Sequence, residues 1–233
     1  MSLILHIDTA GVEGMVSIGL NGNILAQRIN SQQKDHAAWI HVAIEAIVLE
    51  AGYTLNDLNA VAVIAGPGSY TGLRVGMATA KGFCYVLKVP LITLNTLAVM
   101  AYAAAAAVDN QQVQGIAPDS DPLLCPMIDA RRMEVFTAVY DTALNDIVNP
   151  AALVLDSESF NNWLDKKNII FFGNGSDKWK LLVNHANAHF ADIYYQPGDV
   201  TKMSQQQFDE GLFTDVAYCE PIYLKDFYTH QKK

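Results

Sequence analysis

Apolar positions along the chain fall into short buried runs separated by longer helical stretches. Residues 3–8 form an apolar run that ends on an acid, followed by Thr9, Ala10 and Gly11. Residues 15–20 and 24–29 read as extended segments, and Asn21-Gly22-Asn23 between them is a strong hairpin turn signal. From about residue 33 to 51 the pattern becomes helical. Residues 60–65 read as a buried strand, 71–87 as a second helix, 91–94 as a short strand and 95 to about 108 as an alanine-rich helix.

Residues 109–122 are polar, with Gln, Asn, Asp, Gly and Pro, and read as a linker. The order of elements then repeats. Residues 123–128 and 134–140 resemble paired strands and 151–155 a third. A capped helix is expected over 157–164, a strand over 169–172 and a helix from Ser176 to about 186. Helices separated by buried strands imply a partly parallel sheet in each half. A duplicated βββαβα unit resembles the α/β plan of the actin-like ATPase fold, with lobes over 1–108 and 123–233.

Net charge narrows the function. The chain has 233 residues and a formal charge of −9. A protein that grips nucleic acid alone carries a basic footprint, because neutralised phosphates drive that affinity. Here the sequence offers only a short basic tail at Lys232 and Lys233, so any RNA contact is expected to depend on a partner. Three widely spaced cysteines, Cys84, Cys125 and Cys219, contain no CxxC pair. They fit a reducing compartment and argue against a zinc site. The longest apolar run, residues 97–108, is about half of the roughly 20 residues that cross a bilayer. No export signal is apparent, no membrane role is expected, and the cytoplasm is the simplest location.

The sharpest local feature is GPGSYTGLRVG at residues 66–76. Gly66, Gly68 and Ser69 form a strand-to-helix turn whose backbone N–H groups suit an anion. A tight capped turn without a ligand is the simpler alternative. No Gly-Lys-Ser/Thr follows, so the turn is not a P-loop. Asp8 and Thr9 complete a candidate nucleotide or anion site, with an Asx turn as the alternative. His36 and His41 lie five residues apart and point some 140° from each other on a helix, which argues against a shared metal. His6, on a buried strand, reads as a core histidine. The first helix is apolar on nearly all sides, and Gly72, Gly76 and Ala80 give the second a stripe of small residues. With Trp39, Ile40, Ala43 and Ile47 they form a candidate partner interface. Packing against the chain's own second lobe is the alternative.

Four segments, LILHIDTA, GPGSYTGLRVGMATAKGF, DARRMEVFTAVYD and EPIYLKDF, resemble the TsaB (YeaZ) family in order, from Leu3 to Phe227. The resemblance implies an actin-like fold with a shortened second lobe. It also implies a scaffold without catalytic residues, needed by a TsaD-like catalytic subunit and joined by a TsaE-like ATPase. That assembly transfers threonylcarbamoyl to the tRNA adenosine beside the anticodon. TsaD-like proteins carry a histidine pair in a sequence like VNHxxxH. Thr96 and Met100 stand at the matching positions here, and a hydroxyl and a thioether do not replace two imidazoles. No protein-held metal is expected, and no cofactor is expected to bind the isolated chain firmly. ATP or ADP and metal are expected on the partner or at the shared seam. The GNGS segment at 173–176 is a thin match to an adenosine loop. tRNA is expected to engage only through the complex, and the chain alone is expected to form a homodimer. An independent actin-fold ATPase or small-molecule kinase is one alternative, and a glycoprotease-like metallohydrolase another.

Overall fold

The computed structural model describes residues 1–31, 36–117 and 120–225 and contains two five-stranded mixed sheets. The first comprises β1 (Leu3–Asp8), β2 (Gly14–Leu20), β3 (Asn23–Asn30), β4 (Ala60–Gly66) and β5 (Leu91–Asn95), in the order β3-β2-β1-β4-β5. The second comprises β6 (Leu123–Asp129), β7 (Glu134–Tyr140), β8 (Asp146–Val154), β9 (Ile169–Phe172) and β10 (Ala188–Ala191), in the order β10-β9-β6-β7-β8. In each sheet the first three strands form an antiparallel meander and the last two join in parallel. One topology is written twice, as the repeated pattern predicts. The expected start of the first helix near residue 33, the end of the EPIYLKDF segment and the Lys232–Lys233 tail lie outside the described residues.

Local chemistry explains the element ends. Asn21 and Gly22 both take positive φ, 49° and 77°, as a two-residue type I′ hairpin requires. The helices are α1 (His36–Glu50), α2 (Tyr70–Leu87), α3 (Thr96–Asp109), α4 (Asn161–Leu164), α5 (Ser176–Lys180) and α6 (Pro197–Asp209). Ser69 caps α2, its hydroxyl accepting the Gly72 N–H at 3.4 Å. Lys88 turns left-handed at φ 58° and Pro90 follows, which ends the helix. The Asn95 side-chain oxygen accepts the Leu97 and Ala98 N–H groups at 2.8 and 3.4 Å and starts α3.

Helices α1 and α2 cover one face of the first sheet, with Ile40, Ile44, Ile47, Met77 and Ala80 against Leu5, Ile7, Val61 and Val63. On the other face Val99 of α3 and Val200 of α6 meet Ile4, Ala62 and Ile64. The alanine-rich α3 also reaches the second sheet, where Leu97, Met100, Ala101 and Ala104 pack with Leu124, Tyr140 and Phe172. Small side chains let one helix touch both sheets. Trp179 and Phe171 fill the far side of the second sheet with Leu164 and Val135. Each such large side chain contributes about 1.5–3 kcal/mol by leaving water.

Two expected helices are shorter than the pattern suggests. Over 157–164 only α4 forms, because Asp156 closes a local turn, accepting the Glu158 N–H at 3.0 Å and the Ser159 hydroxyl at 2.9 Å. Phe160 at φ 65° then breaks the helical path. Over 176–186 only α5 forms. Strand β10 and helix α6 are elements that the sequence pattern did not indicate. The chain beyond α6 returns to the first lobe. Thr214 donates its N–H to Leu91 at 2.8 Å, Lys81 reaches the carbonyls of Ala217 and Cys219, and the Ile222 N–H donates to Ala65 at 2.7 Å. The sequence of 123–233 is therefore not one packing unit. Among the described residues no helix is long and apolar enough to cross a membrane.

Candidate functional site

The tip of β1 and the start of α2 meet where the two lobes join. Asp8 ends β1 and is buried. One carboxylate oxygen accepts the Ala10 N–H at 2.9 Å, and the other accepts the Tyr195 hydroxyl at 2.7 Å. Burial raises the Asp8 pKa above the usual carboxylate value, and the two hydrogen bonds oppose that rise. Thr9 donates its hydroxyl to the Gly72 carbonyl at 2.6 Å. The Ser69 N–H, one donor that an anion cradle would use, is committed to Ala10 at 2.7 Å. Gly66, at φ 118°, lies against the Ile222 carbonyl. A Cβ on Gly68 would fall 2.5 Å from the Ala10 carbonyl oxygen. The structure thus brings Asp8, Thr9, Gly66, Gly68 and Ser69 together, and the Asx turn foreseen for Asp8 is part of the arrangement.

A metal of the kind the family resemblance raises does not fit the residues present. Asp8 is capped by a phenol, and Thr96 begins α3 as a buried hydroxyl. The Met100 methyl presses on Gly173, 2.5 Å from where a Cβ would stand. The 173–176 loop is likewise filled: a Cβ on Gly175 would meet Val135 at 2.9 Å, and Asn174 accepts the Asp129 N–H at 2.9 Å. His36 is buried and His41 exposed, so the two point apart as their spacing requires. His6 is buried beside Ser17, and burial lowers its pKa to about 4. Burial pushes the Cys84 and Cys125 thiols up to about 12.

The candidate interface needs correction. Ile40, Ala43, Ile47, Gly72, Gly76 and Ala80 are all buried within the chain itself. A Cβ on Gly72 would fall 1.9 Å from the Thr9 carbonyl oxygen, and one on Gly76 2.4 Å from the Thr9 hydroxyl. Gly72 and Gly76 let α2 close onto the tip of β1, so the stripe is filled by the chain's own first lobe. Trp39 is half-buried against the same core. The opposite faces are open. Val42 and Leu49 on α1 are 67% and 77% exposed, and Tyr85 and Val86 on α2 are 71% and 74% exposed. His41 and Phe83 approach with ring centroids 6.2 Å apart, which sets the two helices side by side. Gly82 on α2 has open space where a Cβ would stand. Exposed apolar side chains therefore stand on both helices, with Glu45 between Val42 and Leu49 and the Lys88 ammonium over the Tyr85 ring.

Sequence reasoning also missed a cleft of about 410 Å³ between the lobes. Its walls include Tyr70 at the start of α2, Arg131, Arg132 and Phe136 from the second lobe, and Tyr223 and Lys225 from the returning chain. Its signal lay in DARRMEVF, quoted above only for family resemblance.

The family model for TsaD, tRNA N6-adenosine threonylcarbamoyltransferase, matches residues 23–168. The tRNA threonylcarbamoyladenosine biosynthesis protein TsaB of Escherichia coli K12 is 28% identical over 230 residues, covering 96% of this chain and 94% of that protein. TsaB of Bacillus subtilis 168 is 25% identical, covering 77% of this chain and 74% of its own length. A crystal structure from Pseudomonas aeruginosa, described as similar to peptidase YeaZ, superposes with a TM-score of 0.79 at 20% identity, covering 97% of this chain and all of that one. With the duplicated unit of an actin-like fold, the TsaD model matching residues 23–168 and an almost end-to-end relationship to TsaB, the chain belongs to the TsaB (YeaZ) family.

Proposed function

We propose that this chain serves in the synthesis of threonylcarbamoyladenosine in tRNA as a non-catalytic subunit that pairs with a TsaD-like catalytic partner. The exposed apolar band of Val42, Leu49, Tyr85 and Val86 carries the pairing reading. Such a band costs free energy in water, at roughly 25 cal/mol per Å², until a second surface covers it. Buried Ile40, Ala43, Ile47, Gly72, Gly76 and Ala80 hold the two helices in place behind it. The names of the E. coli and B. subtilis relatives support the pathway. The Tyr195 cap on Asp8 and the Thr96 and Met100 side chains support a chain that leaves metal-dependent transfer to its partner. A TsaE-like ATPase joins the pair, and the band closes on a second copy when the partner is absent, read by sedimentation.

Co-purification with a TsaD-like protein tests the reading. Val86→Glu places a charge in the band without touching the core, so the variant should melt like the parent and lose pairing by tenfold or more. A folded Val86→Glu variant that pairs normally removes this surface from the interface.

A further inference from the structure

Three of the chain's four arginines, Arg74, Arg131 and Arg132, stand on or beside the cleft between the lobes, in a protein of net charge −9. Arg131 and Arg132 are consecutive and both left-handed, at φ 70° and 50°. They join the antiparallel strands β6 and β7, where a tight hairpin turn calls for two left-handed residues, and this turn holds both side chains at the cleft. Both side chains are exposed, and among the described residues Arg132 makes no ion pair. Asp129, the nearest acid in the turn, is held by Lys178 at 2.6 Å. Among the described residues Glu134 is the one carboxylate lining the cleft, and it is paired with Lys225, so the charge left over at these walls is positive.

Three aromatic rings also line the cleft. The Tyr70 and Tyr223 rings lie 5.3 Å apart at 39°, and Phe136 lines the same cleft. The Arg74 guanidinium sits 4.7 Å from the Tyr70 ring centre, so a third arginine adjoins the cleft's aromatic wall. Rings that stack a base, flanked by guanidinium groups that hold phosphates, are how proteins take unpaired nucleic acid strands. We propose that this cleft binds unpaired RNA: a base stacks on the exposed Tyr223 ring, which Tyr70 backs, while Arg131, Arg132 and Arg74 contact neighbouring phosphates. This rests on the tRNA-modifying role proposed above and names the residues by which this subunit touches the RNA. The net charge of −9 opposes phosphate approach, so the contact is weak in the isolated chain and strengthens when a partner adds its own.

Fluorescence anisotropy of the full chain with a labelled anticodon stem-loop, from 20 to roughly 200 mM salt, tests it. Arg131→Ala/Arg132→Ala should bind at least tenfold more weakly at low salt. Its plot of log affinity against log salt should be shallower by about 1.4, since each phosphate contact on a single strand contributes ~0.7. Tyr223→Ala should lose about tenfold with the slope unchanged, and Lys202→Ala on α6 should change neither. No saturable binding at low salt, or a double variant that binds like the parent, overturns the proposal. Complete displacement of the RNA by equimolar ADP or inorganic triphosphate also overturns it, in favour of a small-anion site. Co-purification of the double variant with the TsaD-like partner is measured in parallel. Intact pairing with unchanged RNA binding refutes the cleft alone, whereas a parent chain that does not pair with the TsaD-like protein refutes the subunit reading.

Discussion

Gly76 and Gly82 lie six residues apart on one helix and make opposite demands. A Cβ at position 76 meets the Thr9 hydroxyl at 2.4 Å, whereas one at 82 meets nothing within 4 Å. Gly76→Leu should therefore destabilise the fold by roughly 3 kcal/mol or more through overpacking, read as a large drop in Tm. Gly82→Leu should melt at or slightly above the parent temperature, because glycine inside a helix costs about 1 kcal/mol. Equal melting of the two variants would contradict the packing of α2 on β1. Tyr195 gives a second test. Its hydroxyl opposes the rise that burial imposes on the Asp8 pKa. A raised folded-state pKa means that the stability linked to Asp8 is fully present below the unfolded value of 3.8 and is lost as pH rises through the folded value. Tyr195→Phe raises the folded value further. Its cost should be about 2 kcal/mol at neutral pH and should shrink towards acid pH, by denaturant melts. A cost independent of pH would show that the phenol does not act through the carboxylate.

At the scale of elements, α3 is the helix on which both lobes depend, since its side chains enter cores on both sheets. Asn95→Ala removes the cap for two N–H groups and should cost about 1 kcal/mol, shifting the unfolding of the whole chain in one transition. Separate transitions for the two lobes would contradict the bridging role. The strands were legible because their apolar runs are short and bounded by turn residues such as Asn21-Gly22. The polar TKMSQQQFD stretch hid α6, since only Val200, Thr201 and Ser204 with Pro197 are buried there. The orientation of α1 was not legible for the reverse reason: a helix apolar all round has no preferred face, so Ile40 and Val42 look alike in sequence. The stripe of Gly72, Gly76 and Ala80 was visible, but spacing does not say which neighbour a close-packed face meets. The answer, Thr9, lies more than sixty residues away.

For the molecule as a whole, the returning chain ties the parts together. It passes from Thr214 beside β5 to Ile222 beside β4, and Lys225 then pairs with Glu134 on β7. That path forms one wall of the cleft and leaves the outer faces of α1 and α2 uncovered. The molecule thus presents two separate surfaces, an apolar one and a cationic aromatic one. Net charge alone suggested that RNA contact would come only through a partner, because a sum over the chain conceals a local cluster of arginines. In the proposed pairing a TsaD-like partner needs the α1–α2 surface to act. Threonylcarbamoyl transfer to tRNA by that partner, reconstituted with the parent chain, with Val86→Glu and with no addition, measures that need. Transfer should require the parent chain and fall at least tenfold with Val86→Glu at equal concentration, although both proteins melt alike. Equal transfer in all three reactions would contradict the proposed pairing.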